Sequence, residues 1–177
     1  PGQKSLIRVL VEKLAASRNV ALAAHRGWGE TILLKEIGHA LMEQNEDIRI
    51  FYIEIKEKES PSSFLTRYTS ELCKSTFTSP PAKQQVHDPD FKLLDLPEKI
   101  AKRKKIRMVI FISNFENTRQ YEEFQNVLRK FRLFWKNHLR CTYCISSNNQ
   151  YILQELMENN PHPLQGFGKL YCPKRNL

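Results

Sequence analysis

The chain has 177 residues, 41% of them hydrophobic and 27% charged, which is enough for one domain with a core and too few for two comfortable ones. Its 6 Gly, 9 Pro and 4 Cys exclude collagen-like, low-complexity and disulfide-scaffold chains, and no apolar run approaches the roughly 18 residues of a membrane span. Lys and Arg (28) outnumber Asp and Glu (19), a net charge of +9 that admits nucleic acid, acidic proteins or anionic lipid as partners and selects none of them.

The sequence opens on Pro1 rather than Met, as a piece of a longer polypeptide does. Lys4 to Leu14 reads as an amphipathic helix capped by Ser5, with Leu6, Ile7, Leu10, Val11 and Leu14 on one side, and not as the apolar stretch of a cleaved signal. Val20 to Ala24 is a short apolar run, the mark of a strand covered on both faces. His25-Arg26-Gly27-Trp28-Gly29 interrupts it, and a helix with Leu33, Leu34, Ile37 and Leu41 follows at once. Ile48 to Ile55 is the next strand, and Ser60-Pro61 opens a helix lined by Phe64, Leu65, Tyr68 and Leu72. Thr76 to Pro89 is rich in Ser, Thr, Pro and Gln and predicts an irregular excursion over about 76–92.

Leu93 to Lys105 predicts a helix with a basic end. Met108 to Ile112 is the most apolar run and predicts a central strand. A long helix is expected from Thr118 to His138, with Tyr121, Phe124, Val127, Leu128, Phe131 and Trp135 at helical spacing. Thr142 to Ile145 and Lys169 to Cys172 complete the strands, with a helix from Gln150 to Glu158 between them. No internal repeat is visible. Alternating buried strands and helices predict an α/β fold, a three-layer αβα sandwich around a mostly parallel five-stranded sheet, as one domain over 1–177. Such sheets bind ligands at the carboxyl ends of their strands.

The loop after the first strand carries the chemistry. A Gly-containing turn leading into a helix converges backbone N–H groups on an anion. Against the phosphate-loop pattern G-x-x-x-x-G-K-[ST], Gly29 and Thr31 match, whereas Ala24 replaces the first Gly and Glu30 the Lys. His25 to Leu34 resembles the "PRGWGKTTLL" stretch of AAA+/STAND-type P-loop ATPases. Met108 to Glu116 resembles that family's strand ending in Asp-Glu-Phe-Gln, Val127 to Ser147 its next helix and sensor strand, and Leu153 to Leu177 its tail. The resemblance covers almost the whole chain. It implies a P-loop NTPase core, ATP or ADP with Mg as ligand, and a nucleotide loop formed by His25, Arg26, Gly27, Trp28, Gly29, Glu30 and Thr31. It also implies a helical lid and a C-terminal domain that lie beyond these residues.

The departures sit on the charges. Glu30 stands where the family's Lys neutralises phosphate. Two unit charges 4 Å apart at an effective dielectric near 20 interact by about 4 kcal/mol, so reversing the sign shifts affinity by up to about twice that. By the resemblance, Ser113 replaces the Asp that supports Mg²⁺ and Asn114 the Glu that orients water; neither is a general base. Glu116, two residues on, is a candidate substitute ligand. The expectation is a degenerate ATPase core with weak or no nucleotide binding and no hydrolysis, acting through a protein partner or further domains of its own polypeptide. An active ATPase using Arg26 and Glu116, or a basic DNA-binding module, are the alternatives.

Other candidates have plainer readings beside them. Ser146 and Ser147 fall at the sensor position, or cap the next helix. Trp28 stacks a base, or packs on neighbouring helices. The run Lys99, Lys102, Arg103, Lys104, Lys105 and Arg107 contacts nucleic acid or an acidic partner, or is a solvated face. Arg129, Lys130, Arg132 and Lys136 add to the field from the polar side of the long helix. Cys141 and Cys144 form C-x-x-C in a β-prone run, where residues three apart point to opposite faces, so they read as buried hydrophobes rather than metal ligands. His25, His39, His87, His138 and His162 have no paired spacing for zinc, and no G-x-S-x-G suggests a hydrolase. Reduced thiols and the missing signal suggest a cytoplasmic protein.

Overall fold

The computed structural model describes residues 2–24, 29–82, 89–158 and 162–173. Helices α1 (Gly2–Ala15), α2 (Glu30–Gln44), α3 (Pro61–Ser75), α4 (Leu96–Lys104), α5 (Phe124–Lys136) and α6 (Gln150–Glu158) alternate with strands β1 (Val20–Ala23), β2 (Ile48–Glu54), β3 (Arg107–Ser113), β4 (Cys141–Ser147) and β5 (Lys169–Tyr171). Among the described residues the strands form one sheet in the order β2-β3-β4-β1-β5, and every pairing is parallel. The expected α/β sandwich is therefore the observed one.

Side-chain alternation divides the core. On one face of the sheet, Val20, Leu22, Val109, Phe111 and Cys144 pack against Leu10, Val11 and Leu14 of α1 and Leu33, Leu34, Ile37 and Leu41 of α2. On the other, Ile110, Ile112, Tyr143 and Ile145 meet Phe64 and Tyr68 of α3, Ile100 of α4, Phe131 and Trp135 of α5, and Leu153 of α6. Trp135 stacks on Tyr143 with ring centroids 4.9 Å apart. Cys141 belongs to the second face and Cys144 to the first, as their odd spacing requires. Both thiols are pushed up by burial, and neither is in a disulfide.

Three expectations are corrected. Helix α1 starts at Gly2 and is not capped by Ser5, which sits inside it; its first turn is largely exposed, where water satisfies the free N–H groups. The helix expected from Leu93 is a 3-10 turn over Phe91–Asp95 that becomes α-helical only at Leu96, beside Pro97, a residue suited to a first turn. The long helix expected from Thr118 is broken. A 3-10 segment, Phe115–Gln120, ends at Tyr121, whose backbone turns extended (φ −62°, ψ 135°) as its side chain is buried, and α5 begins only at Phe124. The apolar β3 is an interior strand, flanked by β2 and β4, as expected. The irregular excursion stands at 76–82 and 89–90, and residues 83–88 of it lie outside the described residues.

Gly168 leads into β5 against Asn19. A Cβ there would lie 2.2 Å from the Asn19 carbonyl oxygen and 2.7 Å from its carbon. Asn19 cannot move away freely, because its Oδ1 accepts the Tyr143 backbone N–H at 2.9 Å. Gly168→Ala is expected to cost about 1–3 kcal/mol, the usual penalty for overpacking a fixed contact, read as a lowered urea midpoint with an unchanged slope.

Candidate functional site

Parallel register brings the carboxyl ends of the strands to one edge. Ala23 of β1 pairs with Ser147 of β4, Ile112 of β3 with Ile145, and Ser113 with Glu54 of β2. Cross-strand bonds continue past the strands: the Ala24 N–H donates to the Ser147 carbonyl at 2.8 Å, and the Ile55 N–H to the Ser113 carbonyl at 2.9 Å. By alternation Ser146 shares the face of Cys144, toward α2, and Ser147 shares the face of Ile145.

Helix α2 enters this edge at Gly29, whose left-handed conformation (φ 65°, ψ 89°) suits glycine, and the cap receives no side-chain bond. Glu30 is the first helical residue. Its Oε1 accepts the Ser146 hydroxyl at 2.6 Å and the Asn114 backbone N–H at 3.1 Å. One carboxylate oxygen thus ties α2 to the ends of both β3 and β4. Asn114 adopts a left-handed conformation (φ 53°, ψ 40°), which turns the chain from β3 into the 3-10 segment, and its Nδ2 donates to Glu54 Oε2 at 3.3 Å. Asn117 donates to the Ile55 carbonyl at 2.9 Å, fixing the same loop.

Burial pushes the Glu30 carboxyl above its ordinary range. The bonds from Ser146 and Asn114 pull it back, and the charge of Glu116 pushes it further up. Glu116 Oε2 is buried with no hydrogen-bond partner. Ser113, Asn114, Glu116, Ser146 and Glu30 therefore gather at one edge, as their positions in the sequence imply. Thr31 is exposed on the next position of α2. His25, Arg26, Gly27 and Trp28 lie outside the described residues.

The two sensor-position serines part company. Ser146, wholly buried, holds Glu30, whereas Ser147 Oγ accepts the Asn149 N–H at 2.9 Å, and Asn149 Oδ1 in turn accepts the Ile152 N–H at 3.3 Å. Capping of α6 thus falls to Asn149, with Ser147 bracing the turn. The bond between Glu30 and Ser146 has no signal in the sequence, since 116 positions separate the partners.

The basic run lies at the opposite edge. Helix α4 delivers the chain to the start of β3, so Lys99, Lys102, Arg103, Lys104 and Lys105 are exposed about 20 Å from Glu30, the length of a seven-residue strand. Arg107 does not join them: its Nε meets Asp47 Oδ2 at 2.7 Å and its Nη1 the Ala15 carbonyl at 2.6 Å. A surface hollow of about 680 Å³ opens between α1 and the far end of α2, beside Ile7, Val11, Ala40 and Gln44. Among the described residues no group of three or more His, Cys, Asp or Glu side chains could hold a metal, and no helix is long and apolar enough to cross a membrane.

No family model matches the sequence, and no curated protein does. Solved structures do match. A Walker-type ATPase of Pyrococcus abyssi superposes with a TM-score of 0.64 over 93% of this chain and 51% of its own, at 14% identity. The Aeropyrum pernix Orc1 protein, solved in complex with DNA, gives 0.66 over 96% and 44%, at 15% identity. Cdc6p of Pyrobaculum aerophilum gives 0.64 over 97% and 44%, at 15% identity. The chain shares its α/β fold with these proteins. The chain spans about half the length of these proteins.

Glu30→Gln preserves the acceptor for Ser146 and Asn114 and removes the charge. A carboxyl raised in the fold binds its proton more tightly there than in the unfolded chain, so wild-type stability falls as pH rises from the ordinary value, 4.5, through the raised one. The variant escapes that loss. Its melting temperature is expected to exceed wild type at neutral pH, with the difference shrinking toward zero below about pH 4.5 in a series of thermal melts.

Proposed function

We propose that this chain is the core domain of a degenerate AAA+ ATPase, a module that neither hydrolyses nor firmly binds nucleotide and works through protein contacts. One observation carries the reading: the carboxylate of Glu30 stands at the start of α2 and is bonded to Ser146 and Asn114, at the position where the resembled family has its phosphate-binding Lys. A triphosphate with Mg²⁺ needs cations beside its terminal oxygens and a carboxylate for the metal. Glu30 meets the phosphates with like charge, and Ser113 and Asn114 supply no anionic ligand, so the described residues do not fit that group. No catalytic step is derived through it.

What remains is a scaffold. The sheet edge that would move with nucleotide is instead held by a permanent internal acceptor, which supports a fixed rather than a cycling module. Such a scaffold acts through a protein partner or through further domains of its own polypeptide. Its four free thiols support a cytoplasmic setting. A second reading has its own observation: the buried Glu116 Oε2 has no hydrogen-bond partner and stands two residues past Asn114, and as a metal ligand with Arg26 as phosphate cation it would make an active ATPase.

Titration calorimetry with Mg-ATP separates the two. The expected result is a Kd weaker than about 1 mM, less than about 4 kcal/mol of binding, with no phosphate release above a Thr31→Ala control. Glu30→Lys combined with Ser113→Asp and Asn114→Glu is expected to gain affinity by at least tenfold. Tight wild-type binding that disappears in Glu116→Ala would establish the active enzyme instead.

A further inference from the structure

Away from Glu30, the described surface concentrates charge at the end of α4 nearest the strand starts, where Lys99, Lys102, Arg103, Lys104 and Lys105 are exposed. None of these lysines forms an ion pair among the described residues. The nearby acids are engaged elsewhere. Glu98, on the buried side of α4, accepts the backbone N–H groups of Leu139 (3.0 Å), Arg140 (2.8 Å) and Cys141 (3.2 Å). Asp95 Oδ1 lies 2.9 Å from His138 Nε2.

These bonds also make the surface stiff. The loop 138–141 is clamped on α4 by Glu98 and on β3 by the Met108 N–H, which donates to the Arg140 carbonyl at 2.9 Å. At the other side, Arg103 Nη2 reaches Thr78 Oγ1 at 3.5 Å and links α4 to the loop after α3. Each clamped loop holds out one large apolar side chain: Leu139 is 80% exposed and Phe77 is 96% exposed. Their attachment points on α4, Glu98 and Arg103, are five residues apart, about 8 Å along the helix. Two loops bonded to α4 therefore each present an exposed apolar side chain near the basic strip.

The pairing of charge with aliphatic surface discriminates between ligands. A phosphate backbone is satisfied by lysines alone and gains nothing from Leu139, which has no π face to stack on a base; the Phe77 ring does offer such a face, so Leu139 is the side chain that discriminates. A peptide that carries carboxylates and apolar side chains together uses both features: its acids meet the lysines and its apolar residue covers Leu139 or Phe77. We propose that this end of α4 is a docking surface for an acidic amphipathic peptide segment of a partner protein. The surface lies across the sheet from Glu30, so the proposal does not depend on whether nucleotide binds. The chain's net charge of +9 steers the acidic segment toward it, and binding weakens with salt.

Fluorescence anisotropy on the full chain tests this with three labelled probes: a short peptide of Glu and Leu at helical spacing, a poly-Glu peptide of equal charge, and a DNA duplex. The Glu/Leu peptide is expected to bind tightest. Lys102→Glu with Lys105→Glu should weaken both peptides about tenfold, the effect of reversing two exposed charges. Leu139→Ser should weaken the Glu/Leu peptide several-fold and leave poly-Glu unchanged. Both variants alter exposed side chains, and unchanged circular dichroism and melting temperature establish that they fold. Duplex binding tighter than either peptide and indifferent to Leu139→Ser would overturn the proposal in favour of a nucleic-acid surface. Absence of binding by the Glu/Leu peptide at low salt would overturn it outright.

Discussion

One oxygen atom, Glu30 Oε1, joins three elements at the carboxyl edge of the sheet. It accepts from the Ser146 hydroxyl at the end of β4 and from the Asn114 N–H just past β3, while its own backbone begins α2. In a parallel sheet every strand ends at the same edge, and the loops leaving it have no ladder to hold them together. Glu30 supplies that link. Its cost is a carboxylate withdrawn from water with Glu116 nearby, which is why its proton affinity rises. The same oxygen thus closes the edge mechanically and sets its sign electrostatically, and the functional reading follows from both.

The molecule is polarised end to end. The edge at Glu30 gathers Glu54 and Glu116 around buried hydroxyls, and the opposite edge exposes the lysines of α4. Buried acids organise both ends. Glu98 performs at the strand starts what Glu30 performs at the strand ends, accepting backbone N–H groups from a loop that would otherwise have no partner. The difference lies in what each leaves exposed: Glu30 consumes the polar groups of its edge, whereas Glu98 rigidifies a loop whose side chains face outward.

Much of the fold was legible in the sequence because parallel strands are buried on both faces and read as uninterrupted apolar runs, as in Val20 to Ala23 and Met108 to Ile112. The helices between them carry apolar stripes at helical spacing, and the odd separation of Cys141 and Cys144 placed the thiols on opposite faces correctly. Boundaries were less legible. The break at Tyr121 is a tertiary event: residues 118–123 have helical spacing, but burying the Tyr121 side chain in the core requires an extended backbone there.

By itself, the sequence determined the class of fold, the edge at which the candidate site lies, and the carboxylate charge at position 30, because composition and periodicity are local and the sign of a side chain is intrinsic. Only the tertiary structure decided where that charge goes. It separated Ser146 from Ser147, removed Arg107 from the basic run by pairing it with Asp47, and set Leu139 and Phe77 beside the lysines. The reason is physical: a hydrogen bond between residues 30 and 146 depends on strand register and on which face each side chain takes, and neither is set within a stretch of chain shorter than the whole sheet.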